Sequence, residues 1–136
     1  MSDIVRIPII KLHGNLIVSI QVALSDQLVA RLKDDITLEI DRTGANGLII
    51  DLSGIDVMDS YISRSIRDIG LIAQLMGVKT VISGIDPMIA MTLVEMGLDL
   101  TGVQSTLNLE AAVELLGREG RANDRSSRPG NGRGSP

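Results

Sequence analysis

A serine that closely follows several carboxylates is the part of this sequence best suited to chemistry. Ser60 lies directly behind Asp56 and Asp59 in the stretch GIDVMDSYIS, and Asp51 ends the apolar run before it. That run is typical of a buried strand, and the residues after Ser60 are typical of a helix. Ser60 is therefore expected near the carboxyl end of a strand and at a helix N-terminus, where free amides and the helix dipole favour an anion.

Spacing alone favours a simpler role for Ser60, that of a helix N-cap, because Ser and Asp are both common caps. A cap does not need the three carboxylates of Asp51, Asp56 and Asp59. If these lie on an exposed rim, as we expect, they could hold a cation or present a charged docking surface.

A nucleophilic role for Ser60 has little support, because a serine nucleophile needs a base that is usually a histidine. The only histidine, His13, falls in a predicted hairpin turn early in the chain. The glycines of GANG at 44–47 lack the spacing and the lysine of a phosphate-binding loop, and no dinucleotide fingerprint is present. Cysteine is absent and His13 is the single histidine, so neither a thiolate nor a multi-histidine metal site is predicted, although carboxylate sites for Mg²⁺ or Ca²⁺ stay open. No cofactor is expected.

Two further features have a structural interpretation and a functional one. Thr92 falls inside a predicted helix, where its hydroxyl would bond to the preceding turn. The methionines Met88, Met91 and Met96 could form an adaptable contact surface, but core filling is the favoured interpretation.

The pattern of elements predicts an α/β fold. Residues 7–12 and 15–22 suggest two strands joined by a turn with Gly14 and Asn15 at positive φ, and helices and strands then alternate. Helices are predicted at about 25–44, 60–77, 86–97 and 108–117, and strands at 47–52, 78–83 and, weakly, 102–105. Right-handed crossovers between such strands imply a mostly parallel sheet with an antiparallel N-terminal edge and about four helices.

The length of 136 residues fits a single domain, and the composition predicts an aliphatic core. We predict a domain over residues 1–117 and a disordered basic tail over 118–136, rich in Gly, Arg, Ser and Pro. The body is acidic, which argues against nucleic acid as a partner. There is no signal peptide and no stretch long enough to cross a bilayer, so a cytoplasmic protein without a membrane partner is expected.

The segment GLIIDLSGIDVMDSYISRSI resembles the central signature of the STAS domain family. Its DS pair, Asp59 and Ser60, is similar to the phosphorylatable position at the start of that family's second helix. Further segments resemble the RsbS-like branch, whose members are small single-domain proteins of the bacterial stressosome: IPIIKLHGNLIVSIQVALSDQ, TGANGLIIDLS, AQLMGVKTVISGI and TLVEMGLDL. The resemblance covers residues 5–116. Tyr61 replaces a phenylalanine of that branch, and the basic tail has no counterpart.

The resemblance implies a non-enzymatic scaffold that self-associates and assembles with sensor-bearing STAS co-antagonists. It also implies capture of a serine/threonine switch kinase, which leaves when Ser60 is phosphorylated. Asp56, Asp59, Ser60 and Tyr61 would form the partner-binding surface, and Thr92 is a weaker second phosphorylation position.

Two other functions stay open. A direct anti-sigma-factor antagonist would share the fold and the serine but would stay small, whereas a stressosome subunit would enter megadalton particles. A small hydrolase or phosphotransferase would use Ser60 with Asp59, and its turnover would be lost when Ser60 is replaced by alanine.

Overall fold

The part of the chain that the structure describes forms one mixed sheet with helices on both faces. The structure, a computed structural model, describes the backbone of residues 7–21, 24–97 and 102–127 and the side chains through residue 119. Its strands are β1 (Ile9–Leu12), β2 (Asn15–Ser19), β3 (Gly47–Asp51), β4 (Lys79–Ser83) and β5 (Gln104–Thr106). Its helices are α1 (Asp26–Thr43), α2 (Ser60–Leu75), α3 (Pro87–Glu95) and α4 (Leu109–Ser127).

The sheet has the order β1-β2-β3-β4-β5, with an antiparallel β1–β2 pair and parallel pairing in the rest. The predicted α/β fold with its antiparallel N-terminal edge is therefore confirmed. Because β2 to β5 all run the same way, their carboxyl ends lie at one edge of the sheet. The loops that enter α1, α2, α3 and α4 leave from that edge, which we call the carboxyl edge.

Two apolar clusters hold the layers together, one on each face of the sheet. The larger lies under α1, α2 and α3 and includes Leu48 and Ile50 of β3, both fully buried. The smaller lies under α4, where Ala112 and Leu116 form a cluster with one residue from each of β2, β3 and β4: Ile17, Ile49 and Val81. β3 is buried at all five positions because helices cover both of its faces, which explains its continuous apolar run.

The helix stripes follow the predicted spacing. α1 buries Val29, Leu32, Ile36 and Ile40. Ser25 caps α1 by accepting a hydrogen bond from the Leu28 amide at 3.0 Å, and Gly44 ends it at a φ of 64°. An aliphatic stripe at three- and four-residue steps therefore fixes which side of α1 faces the sheet.

The β1–β2 turn differs in detail from the prediction. Positive φ values occur at His13 (53°) and Gly14 (81°), while Asn15 already begins β2. Two consecutive residues at positive φ suit a two-residue hairpin turn, because their twist matches that of the strands.

The last helix is longer than predicted. It was expected to end near Gly117, but α4 continues through Ser127. Residues 128–136 lie outside the described part, so the domain boundary and the disorder of the tail stay predictions. Within the described residues, no helix is both long and apolar enough to cross a membrane.

Candidate functional site

The loop of residues 52–59 connects β3 to α2 and positions the predicted site. At its start, the Leu52 amide donates to the Ser83 carbonyl at 2.9 Å, and the Ile55 amide donates to the Leu52 carbonyl at 3.0 Å. Ile55 and Met58 are both buried in the larger cluster. The loop is therefore tied to the sheet at its start and to the core along its length.

Gly54 lets this loop pass close to the segment after β2. A Cβ at that position would lie 2.7 Å from the Ile20 carbonyl oxygen and 2.9 Å from the Gln21 Cα, distances that real Cβ atoms do not adopt. A side chain at position 54 would therefore push the loop away from its neighbour.

Asp59, rather than Ser60, caps α2. Its Oδ1 accepts a hydrogen bond from the Ile62 amide at 2.8 Å, and its carbonyl accepts one from the Ser63 hydroxyl at 2.8 Å. The cap interpretation of Ser60, favoured by spacing, is therefore wrong. Ser60 is the first residue of the helix, and its hydroxyl makes no hydrogen bond to the rest of the described chain.

The Ser60 side chain is exposed, and so are its neighbours Asp56, Val57, Asp59 and Tyr61. Val57 is 82% exposed although it is aliphatic, and Tyr61 is 41% exposed. Beside the loop lies an open cavity of about 390 Å³, which Leu24 and Ile62 line together with loop residues. A hydroxyl at a helix tip, carboxylates, an apolar side chain and an adjacent cavity thus share one accessible surface.

Asp51 is not part of that surface, which corrects the expectation of an exposed rim of three carboxylates. It is 7% exposed. Its Oδ1 accepts from the Ser83 hydroxyl at 3.1 Å, and its Oδ2 accepts from the Ser53 hydroxyl at 3.0 Å and from the Ser19 hydroxyl at 3.4 Å. Of these three carboxylates, those of Asp56 and Asp59 are exposed.

Sequence reasoning missed this cluster of hydroxyl groups around Asp51. Ser19, Asp51 and Ser83 are the last residues of β2, β3 and β4, and the sheet register pairs them side by side. The predicted strands end at residues 22, 52 and 83, so aligning their ends would not have brought these three polar residues together.

The second hydroxyl, Thr92, donates to the Met88 carbonyl at 2.9 Å, as expected of a threonine inside a helix. The methionines of the same helix depart from the favoured core-filling interpretation. Met88 and Met91 are 64% and 57% exposed, and only Met96 packs against the core. α3 is short and buries two residues, Ile89 and Leu93, so its other side faces outward.

His13 lies far from Ser60 in the topology of the sheet. It lies in the turn before β2, at the edge opposite the carboxyl edge. No group of three or more His, Asp or Glu side chains in the described part of the chain could hold a metal ion. Among the described residues, the surface around Ser60 therefore has neither a histidine base nor a metal-binding group of this kind.

Acidic residues dominate the carboxyl edge. The charged residues of its described loops and first helical turns are Asp26, Asp56, Asp59, Asp86 and Glu110. Carboxylates near helix N-termini are stabilised by the helix dipole. Their shared sign also makes this edge complementary to a basic partner surface.

Residues 6–114 match the STAS domain family, and the chain belongs to it. Among solved structures, that of a serine-to-glutamate variant of Moorella thermoacetica RsbS is similar, with 37% identity, a TM-score of 0.78 and coverage of 86% of this chain and 99% of the other. A structure described as showing the molecular architecture of the stressosome is similar at 38% identity and a TM-score of 0.76, covering 84% and 99%. The resemblance to the RsbS-like branch is therefore confirmed.

The curated relatives include the RsbT co-antagonist protein RsbRD of Bacillus subtilis, which is 36% identical over 70 residues. The match covers 52% of this chain and 25% of RsbRD. A second Bacillus subtilis relative, the uncharacterized protein YezB, is 34% identical over 70 residues, or 52% of this chain and 71% of YezB. The chain thus corresponds to about a quarter of the length of the co-antagonist it matches.

Replacing Asp59 separates its role as a cap from its role as a charge. Asp59→Ala removes the acceptor for the Ile62 amide, so the free energy of unfolding should fall by about 1 kcal/mol. Asp59→Asn keeps an acceptor oxygen and should stay within about 0.5 kcal/mol of the parent, although it loses the charge. Urea unfolding followed by circular dichroism measures both. Equal stability of the two variants would show that the cap contributes nothing.

Proposed function

We propose that this protein is a non-enzymatic stressosome scaffold and antagonist. It sequesters a serine/threonine switch kinase in the cytoplasm and releases that kinase when Ser60 is phosphorylated. The single observation that carries the proposal is the position of Ser60, which is exposed at the tip of α2 while Asp59 does the capping. Because the Ser60 hydroxyl does not cap α2, it can accept a phosphate without loss of the helix.

Charge supplies the mechanism of release. Phosphorylation adds about −1.5 to −2 charges at neutral pH. Free amides at the start of α2 would stabilise this group locally, but Asp56 and Asp59 would repel it. A kinase surface fitted to a neutral hydroxyl between carboxylates would meet a new charge at the centre of the contact. Such a switch needs no large change of fold.

The partner surface follows from the exposed groups around Ser60. Asp56 and Asp59 would pair with basic side chains of the kinase, and Tyr61 and Val57 would contribute apolar area. Thr92 is a weaker second phosphorylation position, because its hydroxyl is already engaged by the Met88 carbonyl. The similarity to RsbS and to co-antagonist proteins supports self-association and assembly with sensor-bearing STAS partners.

The two alternatives are weaker. A direct anti-sigma-factor antagonist has the same fold, but the similarity at 37% and 38% identity is to RsbS and stressosome structures. A hydrolase using Ser60 with Asp59 would lack a histidine base, since His13 lies at the opposite edge and the Asp59 carboxylate is bonded to the Ile62 amide.

Incubation with the purified kinase and ATP, followed by peptide mass spectrometry, tests the proposal. We expect a phosphate on Ser60 and at most a minor amount on Thr92. Ser60→Ala should abolish the main product, while Ser25→Ala, which changes a cap serine at the same edge, should not. Phosphate found on other residues while Ser60 stays unmodified would refute the proposed switch.

A further inference from the structure

A buried carboxylate connects the strand ends of the sheet to the loop that presents Ser60. Asp51 has no ion-pair partner among the described residues, and hydroxyl groups and one backbone amide surround it. Burying a charge that is paired only with neutral donors costs free energy. The hydrogen-bond partners of Asp51 show which parts of the fold its carboxylate connects.

The partners come from two different parts of the fold. Ser83 and Ser19 end the strands on either side of β3, and the sheet ladder already fixes their backbones. Ser53 belongs to the β3–α2 loop, and it donates from its hydroxyl at 3.0 Å and from its amide at 3.4 Å. The Asp51 carboxylate is thus a side-chain tie between the sheet and the first half of the loop.

This hydrogen bond acts at the part of the loop that has no buried side chain of its own. Ser53 and Gly54 are exposed, and the next exposed residues, Asp56 and Val57, lead directly toward α2. Gly54, the residue after Ser53, lies against the Ile20 carbonyl, a position that a Cβ would not permit. Loss of the tie would leave residues 53–57 attached through the turn at Leu52 and the buried side chain of Ile55.

We propose that Asp51 is a positioning residue for Ser60: through Ser53 it holds the β3–α2 loop in the conformation that presents the Ser60 hydroxyl and the adjacent carboxylates to the kinase. This inference rests on the proposed function of Ser60. It assigns the buried Asp51 and its partner Ser53 a role in recognition although neither side chain is part of the contact surface.

Ser53→Ala is the decisive variant, because it removes the loop's hydroxyl tie and leaves the buried carboxylate in place. Ser19→Ala is the matched control, since it removes a hydroxyl from the same carboxylate oxygen but on a strand held by its ladder. Ser53→Thr keeps a hydroxyl and should restore the parent behaviour. Asp51→Asn is a further variant that keeps one acceptor oxygen.

Two measurements are made on the full chain. Amide hydrogen exchange over residues 53–59 should become about tenfold faster in Ser53→Ala and stay within about twofold of the parent in Ser19→Ala. The kcat/KM of the purified kinase for Ser60 should fall about tenfold in Ser53→Ala, mainly through a higher KM, because a mobile loop presents the correct surface for a smaller fraction of the time. Asp51→Asn should be intermediate in both.

The two readouts separate this inference from the proposed function. If the kinase does not phosphorylate Ser60 in the parent protein, the proposed function fails, and with it the role in recognition. Loop exchange then still decides whether Asp51 holds the loop. If the kinase acts on Ser60 but Ser53→Ala matches Ser19→Ala in both loop exchange and KM, the positioning role of Asp51 is refuted.

Discussion

Ser60→Asp should weaken capture of the switch kinase by about a hundredfold and leave the fold unchanged. The substitution puts a carboxylate at the first residue of α2, where the helix dipole and free amides tolerate it. The kinase, however, would meet a third negative charge beside Asp56 and Asp59. A loss of about 3 kcal/mol of binding free energy corresponds to roughly a hundredfold change in affinity.

Isothermal titration of the kinase with the parent and the variant measures this effect. Ser25→Asp is the matched control, because it adds the same charge at another helix N-terminus on the carboxyl edge, where Ser25 is the N-cap and Asp is itself a good cap. It should leave affinity within about threefold of the parent. If Ser60→Asp binds as tightly as Ser25→Asp, charge at the tip of α2 is not what releases the kinase.

Ile50→Ala should lower the free energy of unfolding by about 2–5 kcal/mol. Ile50 is fully buried in β3, the middle strand of the sheet, beneath the packed helices α1 and α2. The chain has no Phe or Trp, and its one Tyr is exposed, so aliphatic side chains fill the core. Truncating the side chain to a methyl group there leaves a cavity that rigid neighbours on a central strand cannot close.

Urea unfolding followed by far-ultraviolet circular dichroism is the suitable measurement, because no tryptophan is present to report by fluorescence. Leu75→Ala is the control. Leu75 is 88% exposed at the end of α2, so its truncation should change the free energy of unfolding by less than about 0.5 kcal/mol. Similar losses for the two variants would contradict the assignment of Ile50 to the core.

Much of the fold could be predicted because each element carries its own periodic signal. The stripe of α1 and the continuous apolar run of β3 each specify how the element is buried. The alternation of strands and helices then leaves a parallel sheet as the simple solution. The end of α4 could not be predicted, because Gly and polar residues after residue 117 lower helix propensity without preventing a helix.

The position of Ser60 was also predictable, since a buried strand, a short loop and an apolar helical stripe locate the start of α2 within one residue. The sequence could not assign the cap, because Asp59 and Ser60 are equally good caps and only the backbone geometry decides between them. Nor could it show that Met88 and Met91 face outward, since that depends on how little of α3 the sheet covers.

The sequence by itself therefore determined the class of fold, the place of Ser60 at the start of a helix just after Asp56 and Asp59, and the STAS resemblance, because these depend on local order along the chain. Only the tertiary structure decided that Asp51 is buried. Asp51 is close to Asp56 and Asp59 in the sequence, yet the sheet register places it beside Ser19 and Ser83, where it is buried. Burial depends on which strands become neighbours, and pairing between residues 32 positions apart in the chain leaves no local pattern in the sequence.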